Sequence, residues 1–277
     1  MRRAGFVGGV AASLFLMLDA AAAQSGILAD GFEPGSPSSW SLATGWTCPD
    51  GDAPVAGNST VEEAGDPGCP PGMAHVDTFC IDRFEASLAR LPGDGGGPWS
   101  PYLDPDTVQV RALSVRGATP QAYIDGLRAA DACANSGKRL CTDAEWLRAC
   151  RGASAWTYPW GNSPEPGRCN DARAVHPLVE YYQTTEPWIW DHLDQPCLNQ
   201  LPSGLERTAS RDGCQSEGGI YDLMGNLLEW TADPNGTFRG GYYVDTVING
   251  AGCLYATTAH DTSFVAFSTG FRCCVDF

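Results

Sequence analysis

Twelve cysteines are distributed through this 277-residue chain. Their number is even and no pair is spaced Cys-x-x-Cys, which argues against a metal cluster and for a disulfide framework. Disulfides on that scale need an oxidising compartment. The start of the chain agrees. Arg2 and Arg3 precede an apolar run from Phe6 to Leu18, and Ala21-Ala22-Ala23 offers a small-residue cleavage site. This layout predicts a signal peptide over residues 1–23 and a secreted or periplasmic protein. The run is too short for a membrane anchor, and no later stretch is long and apolar enough to span a bilayer. Charge narrows the partners. There are 33 acidic residues against 17 Lys and Arg, with Lys138 the sole lysine. Such a surface excludes nucleic acid and anionic lipid as expected partners.

Residues 24–72 hold nine Gly and seven Pro, the composition of a linker or irregular N-terminal extension. A domain is expected over residues 73–277. Phe79, Ile81 and Phe84 suggest a strand that turns polar at Glu85. Thr119-Pro120 reads as a helix start, with Tyr123, Leu127, Ala130 and Ala134 as its apolar stripe and Gly137 as its end. Thr142-Asp143-Ala144-Glu145 is a capping box opening a second helix, whose inner face is Trp146, Leu147 and Cys150. From Ala153 to Gly219 no period emerges. Short strand-like runs return at Phe238–Tyr243 and Gly270–Val275. The expected class is α+β, poor in regular structure and rich in disulfides, which help to fix such loops.

Five motifs in order then carry a resemblance. They are Phe79-Cys80-Ile81-Asp82-Arg83-Phe84-Glu85, the stretch from Gly137 to Trp146, Tyr158-Pro159-Trp160-Gly161-Asn162, the block from Gly219 to Trp230, and Arg239-Gly240-Gly241 with the terminal Gly270-Phe271-Arg272-Cys273. Together they resemble the formylglycine-generating enzyme, or sulfatase-modifying factor, family. The resemblance implies a variant of the C-type lectin fold.

It also implies a chemistry to be checked. Oxidase members of that family convert a sulfatase cysteine to formylglycine with oxygen and a copper ion, using two cysteines shortly after the Arg-Gly-Gly motif. Paired thiolates suit Cu(I). Here the corresponding positions fall near Asp245 and Gly250, and Tyr242 stands where a small residue is usual. The resemblance pairs Cys133 with Cys273 and Cys150 with Cys253, so Cys253 is expected as a disulfide sulfur. Copper is therefore not expected. Proximity suggests Cys48–Cys69, and the loop before Asp222 suggests Cys169–Cys214. Cys80, Cys141, Cys197 and Cys274 stay unassigned; Cys273 and Cys274, adjacent on a strand, should face opposite ways.

The resemblance further implies a structural calcium held by Asp222, Gly225, Leu227 and Glu229, carboxylates and carbonyls being the oxygen donors calcium takes. A second set would begin at Asn170 and the carbonyl of Asp171. His75, His176, His192 and His260 lack metal-ligand spacing. Trp156, Trp160, Tyr181, Tyr182, Trp188 and Trp190 fit either a core or a groove for sugar or peptide. Two functions remain open: a non-catalytic domain binding a protein, peptide or carbohydrate through loops 242–252 and 259–267, or a formylglycine-generating oxidase with relocated thiols.

Overall fold

The computed structural model describes residue 48, residues 58–258 and residues 260–277. The expected signal peptide and residues 24–47 and 49–57 of the expected linker lie outside these. Among the described residues the regular structure is ten short strands, three α-helices and four short 3-10 helices. Strands β1 (Met73–Val76) and β2 (Phe79–Asp82) form a hairpin. The last strand, β10 (Cys273–Asp276), pairs antiparallel with β2 and with β5 (Arg139–Leu140), giving the sheet order β1-β2-β10-β5. Strands β3 (Ser87–Arg90) and β4 (Val110–Leu113) make a separate ribbon. The third sheet runs β8 (Ala256–Thr257), β7 (Phe238–Arg239), β6 (Leu228–Trp230), β9 (Thr269–Phe271), with β6 and β9 parallel. The fold is α+β, with most of the chain in loops.

Helix α2 (Asp143–Arg151) begins at the expected capping box: the Thr142 hydroxyl accepts from the Glu145 amide while the Glu145 carboxylate takes the Thr142 amide at 2.8 Å. It buries Trp146, Ala149 and Cys150, and Leu147 is only half-buried. Helix α1 (Gly126–Ala134) departs from expectation. Its cap is Asp125, which accepts from the Arg128 amide at 2.7 Å, not Thr119. Tyr123 cannot belong to the helix because its φ is +53°, a left-handed conformation. The Gln121 amide instead binds the Ala86 carbonyl, tying this approach to the β3 ribbon. The buried face is Gly126, Ala129, Ala132 and Cys133, and the expected core residue Leu127 is 58% exposed. The helix ends at Ala134, before Gly137.

All twelve cysteines form six disulfides. Cys273 and Cys274 leave β10 on opposite faces, one joined to Cys133 on α1 and the other to Cys141 beside α2. Cys150 on α2 joins Cys253, and Cys169 joins Cys214. The expected Cys48–Cys69 bridge is replaced: Cys69 bonds Cys80 on β2, and Cys48 bonds Cys197, 149 residues on. Sequence proximity misleads here because the turn before β1 folds Cys69 back over the hairpin, with the Asp66 amide on the Met73 carbonyl at 3.0 Å.

Residues 58–72 dock on this frame through specific bonds. The Asn58 side chain donates to and accepts from the Thr119 backbone, at 3.0 and 2.9 Å. Glu62 accepts from the Ser114 amide and, with Asp82, pairs with the buried Lys138 at 3.2 and 2.8 Å. Asp66 pairs with Arg83.

Candidate functional site

The block expected to bind calcium folds into a tight turn before β6. Asp222, Gly225 and Asn226 all have positive φ, at 59°, 77° and 58°. Glycine is required at 225 on a second count, since a Cβ there would lie 2.2 Å from the Asn170 carbonyl oxygen. Asn226 is a buried hub. Its amide nitrogen donates to Glu85 at 2.5 Å and to the Glu206 carbonyl at 3.2 Å. Its side-chain oxygen accepts from Asn170 Nδ2 at 2.9 Å and from the Glu206 amide at 3.0 Å. All four valences of the side chain are thus used.

Glu229, on β6, spends both carboxylate oxygens on other side chains. Its Oε2 accepts from Trp146 Nε1 and Arg272 Nε, both at 2.6 Å, and its Oε1 accepts from Arg272 Nη2 at 2.5 Å. All three residues are fully buried. Arg272 also donates to the carbonyls of Asp82 and Tyr221, at 3.1 and 2.9 Å. Asp222 accepts from the Ala209 amide at 2.7 Å. Burial first, then the charge of Glu229 and Glu206, pushes its carboxyl up to about 7. Glu85, where the first motif turns polar, accepts from the Leu227 amide at 3.1 Å. Burial, followed by repulsion from Asp222 and Glu229, lifts it well above the usual carboxylate range. Three buried carboxyls therefore share one guanidinium. Nothing in the spacing of the motifs revealed this grouping; the only signal for Glu85 was an acid closing a buried strand.

The second expected set lies against the first. The Asn170 carbonyl accepts from the Asn226 amide at 2.8 Å, and its side chain donates to the Gly204 carbonyl at 2.9 Å. Asp171 accepts from the Gly167 amide at 3.0 Å. Among the described residues, no three His, Cys, Asp or Glu side chains are gathered as a metal site.

Beyond β7, Gly240 and Gly241 adopt φ of 85° and 72°, and a Cβ on Gly241 would lie 2.3 Å from the Asp245 carbonyl oxygen. The backbones of Tyr242 and Asp245 bond each other at 2.9 and 3.0 Å, closing a tight loop. Asp245 Oδ1 then caps it, accepting from the amides of Val247 and Ile248 at 2.9 and 3.1 Å. Tyr242 packs inward with its hydroxyl 3.4 Å from His176 Nε2, and burial, reinforced by Arg173, lowers that imidazole to about 4. His176 is thus neutral at pH 7, wedged between Trp190 and Phe267.

The sulfatase-modifying factor enzyme 1-like domain family matches residues 49–277. The chain belongs to this family. Among curated relatives it is 30% identical to the formylglycine-generating enzyme of Mus musculus, over 57% of this chain and 37% of that one. It is equally 30% identical to the inactive C-alpha-formylglycine-generating enzyme 2 of Mus musculus, over 56% of this chain and 48% of that one. The chain thus spans less than half the length of either relative. The crystal structure of CarF matches with a TM-score of 0.41 at 15% identity, covering 73% of this chain and 88% of that one. Family membership agrees with the formylglycine-generating-enzyme-like variant of the C-type lectin fold. Within this sulfatase-modifying-factor-like domain, Asp245, near one expected cysteine position, caps the backbone of its loop, and Gly250, near the other, has φ 118°. Cys253, three residues on, is bonded to Cys150.

The Glu229–Arg272 pair sets a stability test. Glu229→Gln keeps the shape but takes from a buried guanidinium the one carboxylate bonded to it, and should cost roughly 3–5 kcal/mol in urea unfolding. A double variant that also carries Arg272→Met should recover part of that loss.

Proposed function

We propose that this is an exported, non-catalytic member of the family that binds a ligand through the loop after the glycine pair. One observation carries the reading: every cysteine is bonded to another, so no thiolate is left to hold copper or attack a substrate. The donors that replace the expected pair, a capping aspartate and a glycine, offer no soft ligand. Copper therefore does not fit this site. Six disulfides, together with the expected signal peptide, support a place outside a reducing cytosol. A binding role is supported by the loop's surface, where Val247 and Ile248 are 63% and 62% exposed although both are large and apolar. Of the other loop expected to bind, Ala259 lies outside the described residues. The oxidase alternative would need a disulfide to open and two thiols to converge.

The oxidised protein, loaded with copper and given a cysteine-containing sulfatase-type peptide in air, should return the peptide unchanged in mass. Aldehyde formation would overturn the non-catalytic reading.

Calcium is proposed as a structural ion at the turn, with the Asp222 carboxylate and the Gly225 and Leu227 carbonyls as donors. A divalent cation there would favour the ionised forms of Asp222 and Glu85, which burial and mutual repulsion disfavour. Glu229, engaged with Arg272 and Trp146, would contribute its field more than a full ligand bond. Asn170 and Asp171 are used in other bonds, and no second ion is proposed. Excess EDTA should lower the melting temperature and added calcium restore it; identical melts in EDTA and calcium would count against the ion.

A further inference from the structure

Lys138 is the sole lysine of the chain; every other Lys-or-Arg position holds arginine. It stands immediately before β5, and only 4% of its side chain is exposed. Its Nζ lies 2.8 Å from Asp82 Oδ1 and 3.2 Å from Glu62 Oε1. Asp82, the last residue of β2, is fully buried, and its other oxygen, Oδ2, accepts from the Cys273 amide at 2.9 Å. Glu62 is held by the Ser114 amide at 2.8 Å, on the same oxygen that faces Lys138.

A buried cation between two carboxylates is a place where arginine, with its planar fork, gives the better ion pair. Lysine differs in one chemical respect: once deprotonated, its amine is a nucleophile. The cluster holds the parts of an amide-forming site. The amine is in hydrogen-bond contact with the carboxyl group it would attack. A second carboxylate stands ready to carry a proton. The Cys273 amide donates to the oxygen on which negative charge would develop. Burial opposes the charge of Lys138, but the charges of Asp82 and Glu62 outweigh it and hold the ammonium above the usual lysine range. The amine is therefore freed by proton transfer within the cluster, after the fold has formed.

We propose that Lys138 and Asp82 condense to an intramolecular amide, with Glu62 as the proton carrier. Glu62 takes a proton from the Lys138 ammonium. The amine attacks Cγ of Asp82, and the Nζ–Cγ bond forms while the Cγ–Oδ1 bond breaks. Oδ1 leaves as water, with one proton returned by Glu62 and one lost from Nζ. Oδ2 stays as the amide oxygen and keeps the Cys273 amide as its donor. No oxidant is needed, and the ion pair is converted to an amide and one water. The bond ties β2 to the start of β5, two strands that flank β10, across 56 residues of chain. Unlike the six disulfides, it survives reduction.

The test is mass analysis of the whole protein, denatured and reduced so that disulfides do not contribute. The wild-type chain, incubated at pH 8 until its mass stops changing, should weigh one water less than its sequence requires. A lysine-specific protease, which has a single site in this chain, should leave it uncut, and fragment spectra should place the link between Asp82 and Lys138. Lys138→Met and Glu62→Gln, each with its melt checked, should keep the full mass, and Glu62→Gln should be cut in two. A wild-type chain of full mass that is cut after Lys138 would overturn the amide. So would a link to Glu62 instead of Asp82, or a water still missing in Lys138→Met. A water lost equally from Glu62→Gln would overturn the role given to Glu62.

Discussion

The fold is organised around a buried guanidinium. Arg272 lies between the two larger sheets, at the short junction where β9 gives way to β10, and binds groups from both. Its partners come from β2 through the Asp82 carbonyl, from β6 through Glu229, and from the loop before the turn through the Tyr221 carbonyl. Trp146 of α2 reaches the same Glu229 carboxylate, so a helix, two sheets and a loop share one charge pair. An ion pair this deep is costly to desolvate and is tolerated only when nearly every donor and acceptor is matched. Here the matching is close, and it orders a molecule whose strands run to at most four residues.

The disulfides act at a second level. Four of the six close loops of 103 or more residues, joining chain segments that short strands alone would hold weakly. The bridges from Cys273 and Cys274 clamp β10 to α1 and to the start of α2 at adjacent positions. The same bonding bears on chemistry, since a thiol in a structural bridge is neither a nucleophile nor a soft ligand. All the sulfurs are spent on the fold, and Asp245, near where the family resemblance places a thiolate in oxidase members, holds a loop shape.

What the sequence made legible was local or patterned. The Thr142–Glu145 capping box depends on four consecutive residues, and it is present as read. The motif order was enough to place the chain in its family. Interactions across sequence distance were not legible. Tyr123 fits a helical stripe by spacing, yet the Gln121–Ala86 bond draws that stretch toward the β3 ribbon and gives Tyr123 a left-handed backbone. Cys69 was matched with its neighbour in sequence, when the hairpin brings Cys80 to it. The resemblance implied Glu229 as a calcium ligand and carried no trace of its bonds to Arg272, 43 residues on. The Glu85–Asp222–Glu229 grouping was hidden for the same reason.

The central claim is that no cysteine of the native protein is free. Titration of thiols in the denatured, unreduced protein tests it most directly, since unfolding exposes every sulfur while leaving disulfides intact. The account predicts no reactive thiol before reduction and all twelve after it. A reproducible pair of thiols before reduction would contradict it and restore the oxidase reading.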